Sequence, residues 1–97
     1  MNRETKLEIL HTSWELHSKV EEGYLNHPAK IDEDSWLEKQ RILLADMALH
    51  LLQTSIEPGK INLERLSDNL HSILTVVDQF LPNSNLKKAT EKLYENN

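Results

Sequence analysis

The chain has 97 residues, 38% hydrophobic and 28% charged, the balance of a single globular domain rather than of a disordered or membrane-spanning chain. Eleven Lys and Arg against sixteen Asp and Glu give a formal charge of −5; nucleic acid and anionic membrane surfaces, which need a cationic stripe, are not expected as partners. The absence of Cys removes disulfides, thiolate zinc sites and cysteine nucleophiles, and two Gly with three Pro are too few for the turns of an all-β sandwich.

A first helix is expected over about residues 3–22. Leu7, Leu10, Trp14, His17 and Tyr24 share one face at three-to-four spacing, with Ile9, Leu16 and Val20 in a neighbouring stripe. Gly23 reads as its end and Tyr24 to Lys30 as a loop, His27 being held extended by Pro28. The N-terminus carries no apolar secretory core.

A second helix is expected over about 33–56. Asp32 is its cap, with Ile31 and Trp36 as a hydrophobic staple; Ser35 with Glu38 offers a competing capping box three residues later, and Glu57-Pro58-Gly59 stops the helix. Trp36, Leu37, Leu43, Leu44, Met47, Ala48 and Leu51 make one stripe, while Ile42, Leu49 and Ile56 recur every seven residues on another face. The densest apolar stretch, Ile42 to Leu52, is interrupted by Asp46 and His50 and is too short to cross a bilayer. A cytoplasmic location is the expectation.

A third helix is expected over about 63–81, capped by Asn62, stapled by Ile61 and Leu66, and ended by Pro82. Leu63, Leu66, Leu70, Ile73, Leu74, Val77, Phe80 and Leu81 form its apolar stripe. A short fourth helix over about 85–95 must dock through Leu86, Ala89 and Leu93, because isolated helices of about a dozen residues are marginal in water.

The expected fold class is therefore all-α: a small antiparallel three- or four-helix bundle with a weak C-terminal helix. Trp14 and Trp36 are expected inside it, as members of a stripe and of a staple.

Glu8-x-x-His11 and Asp68-x-x-His71 have the spacing of carboxylate–His metal ligands in helical bundles, but helical-wheel positions turn both pairs away from the apolar stripes. His17 and His50 lean toward apolar stripes and approach each other if the first two helices pack antiparallel. Two ligands fall short of the three that a metal site needs, so no metal and no cofactor are expected. Arg65 and His71 resemble the Arg-to-His spacing of HEPN-type ribonucleases. That resemblance implies phosphodiester cleavage, with His71 handling the proton and Arg65 the phosphate charge. Glu64 and Asp68 oppose the approach of RNA there. The serines lie on no Gly-bearing turn that could build an oxyanion hole, and neither glycine belongs to a phosphate loop.

The reading adopted is a non-enzymatic protein–protein interaction module: a regulator, inhibitor, immunity-type protein or adaptor. Its candidate partner-binding residues are Ile9, Leu16, Val20, Ile42, Leu49 and Ile56, on faces that a chain this small has little interior to hide. The partner is another protein or a second copy of the chain.

Overall fold

The computed structural model describes residues 1–94. Among them are four α-helices: α1 (Arg3–Asn26), α2 (Trp36–Ile56), α3 (Leu63–Asp78) and α4 (Leu86–Lys92). A 3₁₀ turn, Pro82–Ser84, precedes α4, and the described residues contain no strand. The chain is all-helical, and its helices pack as a small antiparallel bundle. No described helix is long and apolar enough to cross a membrane.

Asn2 starts α1 by accepting the Thr5 backbone N–H at 2.8 Å. The helix passes through Gly23 and ends at Asn26, later than expected. The stop comes instead from His27, whose extended backbone (φ −75°, ψ 123°) is what a following proline requires.

α2 starts at the later of the two expected positions, with Ser35 at the N-cap, although the Ser35 side chain makes no capping hydrogen bond. Asp32 adopts a left-handed backbone with φ 72° and belongs to the turn that precedes the helix. Ile31 is 70% exposed and staples nothing. Two successive turns, Glu33 N–H to Lys30 O and Trp36 N–H to Glu33 O, carry the chain to Trp36. There the indole Nε1 donates to Gln79 Oε1 beyond the end of α3, at 2.8 Å.

Gly59, at φ 95°, makes the turn after α2. Asn62 then caps α3 by accepting the Arg65 N–H at 3.0 Å, as its position predicts. α3 closes at Asp78, and Gln79 and Phe80 form a turn before Pro82. α4 is short; the expected end near Glu95 lies outside the described residues.

Successive helices run antiparallel. His17 meets Asp46 and Tyr24 meets Lys39 across α1–α2. Thr54 meets Asn69 and Gln40 meets Gln79 across α2–α3. Packing is sequential, α1 on α2, α2 on α3 and α3 on α4, so the molecule is a slab of 45 × 35 × 16 Å. Its radius of gyration is 15.2 Å, against about 12.5 Å for a compact domain of this length.

The interior is correspondingly thin. Among the described residues the buried apolar ones are Ala29 and Val76, whereas Ser13, Gln40, Asp46, Gln53, Thr54 and Thr90 are buried and polar. The apolar stripes flank these polar seams instead of filling them. Trp14 is 48% exposed, contrary to the burial expected, because α3 packs against α2 and leaves that side of α1 open. Trp36 is half-buried.

Candidate functional site

The α1–α2 seam sets His17 of α1 against Asp46 of α2, with Ser13 buried one turn earlier on α1. The Ser13 hydroxyl donates back to the Leu10 carbonyl at 2.7 Å, satisfied within its own helix. Further along, His17 Nδ1 lies 2.5 Å from Asp46 Oδ1. His17 Nε2 lies 2.8 Å from Glu21 Oε2, one turn on. His50 Nε2 lies 3.5 Å from Asp46 Oδ2, also one turn on. Asp46 thus faces two imidazoles, and His17 faces two carboxylates.

Burial is graded across the cluster. The Asp46 side chain is 9% exposed, His17 16% and His50 31%. The two imidazole centroids are 4.7 Å apart. Trp14 meets both rings edge-on, at 5.4 Å from His17 and 6.2 Å from His50, and so covers the cluster on its outer side. The approach of His17 and His50 matches the antiparallel geometry considered from sequence. Asp46 and Glu21 were not singled out as members; the signal for them was their i,i+4 spacing to His50 and His17.

The six candidate partner-binding residues lie on the other flank of the same helix pair. Around α2, at about 100° per residue, Ile42, Leu49 and Ile56 are half a turn from Gln40 and Thr54, the positions that meet α3. On α1 they are matched by Ile9, Leu16 and Val20. One shallow groove is walled by Ile9, Leu16 and Leu52 with Glu8 at its edge, a second by Val20, Ile42 and Ala45 together with Glu38 and Arg41. Leu16 is 44% exposed and Leu52 38%; Ile9, Val20, Ile42, Leu49 and Ile56 are half-buried. Ala45, Ala48, Leu52 and Ser55 form an exposed line beside them. From Ile42 to Ile56 the one Asp, Glu, Lys or Arg is Asp46, which is buried in the seam.

The other histidines are separate. His11 pairs with Glu15 at 3.1 Å on an exposed surface. Arg65 Nη1 donates to Glu57 Oε2 at 2.8 Å, while the His71 ring lies 5.7 Å from that of Tyr94. The structure therefore gives Arg65 and His71 different partners instead of bringing them together. The Tyr94 hydroxyl donates to Asp68 Oδ1 at 2.8 Å. This bond to a carboxylate, reinforced by desolvation and by the Asp68 charge, raises the Tyr94 pKa above its ordinary value.

Comparison with protein-family models, with curated proteins and with solved structures returns no match. A functional reading rests on these contacts and surfaces.

Proposed function

We propose that the chain is a non-enzymatic interaction module whose working surface is the α1–α2 flank, and that the first occupant of this flank is a second copy of the chain. The supporting observation is area. The chain exposes 6988 Å², whereas a compact monomer of 11.3 kDa exposes about 5,700 Å². The surplus of about 1,300 Å², spread over the faces of the slab, leaves room for the roughly 800 Å² that each partner buries in a specific complex.

Two features favour self-pairing. A −5 chain repels its copy wherever charges meet, yet the exposed line Ala45, Ala48, Leu52 and Ser55 is uncharged. The alanines also let backbones approach closely. Two hairpins related by a two-fold axis place this line and the Ile9/Leu16/Val20 and Ile42/Leu49/Ile56 stripes in a shared four-helix interior. The outer surface of the pair keeps its acidic charge, which attracts basic protein partners and speeds encounter with them. Regulator, inhibitor and adaptor roles all use such a surface.

Sedimentation equilibrium tests the reading. The wild-type chain is expected as a dimer in the micromolar range, and Leu52→Glu or Ala48→Glu as a monomer that retains its helical circular dichroism. A wild-type chain that stays monomeric at high micromolar concentration overturns it.

A further inference from the structure

We propose that His17, Asp46 and His50 form a binding site for a divalent transition-metal ion of the zinc type, which pins α1 to α2. Each residue presents one ligand atom, and the three atoms lie within 4.8 Å of one another. Around a tetrahedral ion with ligand distances of about 2.0–2.1 Å, ligand atoms stand about 3.4 Å apart. The widest pair must therefore close by at most about 1.4 Å, a side-chain rotation open to the half-exposed His50. Water takes the fourth position on the solvent side.

The second shell argues for a metal beyond a simple ion pair. Glu21 Oε2 lies 2.8 Å from His17 Nε2 and accepts that N–H, so that Nδ1, which donates to Asp46 Oδ1 in the metal-free chain, is the nitrogen that exchanges its proton for the ion. A carboxylate that orients the far nitrogen of a ligand histidine is the usual support of a metal site. Trp14 packs edge-on against both imidazoles. Two imidazoles with one carboxylate suit Zn²⁺, Ni²⁺ or Cu²⁺; the oxygen-rich shells of Mg²⁺ and Ca²⁺ are not provided. The location also suits a structural ion, since it sits in a polar seam where apolar packing is thin. All ligands come from one chain, so the site does not depend on pairing with a second copy.

The test uses the full chain, stripped with a chelator and then titrated with Zn²⁺ by calorimetry and with Co²⁺ by visible absorption. One ion per chain is expected, with tetrahedral Co²⁺ bands and a thermal midpoint raised by about 5 °C or more in saturating Zn²⁺. His50→Ala, at a half-exposed position that preserves the fold, should abolish the bands. Glu21→Gln should weaken binding by about 10- to 100-fold, and His11→Ala should leave it unchanged. The proposal is overturned by an absence of stoichiometric binding, by His50→Ala binding as wild type does, or by loss of binding in His11→Ala.

Discussion

His17 and Asp46, 29 positions apart in the chain, meet at 2.5 Å across the α1–α2 seam. Both side chains are largely withdrawn from water, and this contact joins the two longest helices where apolar packing is sparse. Removing one member leaves a buried polar group facing an empty partner position. Asp46→Ala is expected to destabilise the metal-free chain by about 3 kcal/mol. His17→Ala is expected to cost at least as much, because it strands Asp46, the more buried of the two, whereas His17 keeps Glu21 at 2.8 Å. A double-mutant cycle by urea denaturation should show a coupling of about 1–3 kcal/mol; additive single effects would mean that the contact carries no stability.

The two glycines should respond in opposite directions. Gly23 lies inside α1, and a Cβ added there would stand 3.9 Å from Ile42 Cγ2, an ordinary contact. Gly23→Ala should therefore stabilise by about 0.5–1 kcal/mol through backbone entropy and helix propensity. Gly59 has open space around it but sits at φ 95°, so Gly59→Ala should destabilise by about 1–2 kcal/mol through strain alone. Thermal melts of the two variants measure both signs.

Tyr94 offers a probe of α4 docking. In a Tyr24→Phe background, ultraviolet absorbance reports ionisation of Tyr94 alone. Its transition should lie above the ordinary phenol value, and Asp68→Asn should lower it. Because the folded pKa is raised, the Tyr94–Asp68 contact favours docking fully below the unfolded phenol pKa. That contribution is lost as pH rises through the folded value. A transition unmoved by Asp68→Asn would place α4 elsewhere.

Helix identity is legible from local chemistry. The three-to-four spacing of Leu63, Leu66, Leu70, Ile73 and Leu74 and the cap at Asn62 operate within a few residues, so no distant contact is needed to read them. The heptad of Ile42, Leu49 and Ile56 is legible in the same way. Helix ends are less so. Gly23 reads as a stop by propensity, yet the helical hydrogen bonds continue past it until Pro28 constrains His27. Asp32 reads as a cap, but its left-handed backbone belongs to a turn that delivers Trp36 to Gln79, a partner 43 positions away.

Periodicity established that four amphipathic helices would form and which residues share each face. It carried no information on which face meets which helix, because one apolar stripe suits the interior and an interface equally well. That choice came from the sequential docking of α1, α2 and α3. It turned Trp14 outward, left the Ile42 flank half-buried, and set the register that brings Asp46 between His17 and His50. Such a register is the sum of contacts between residues far apart in the chain, and no local pattern encodes it.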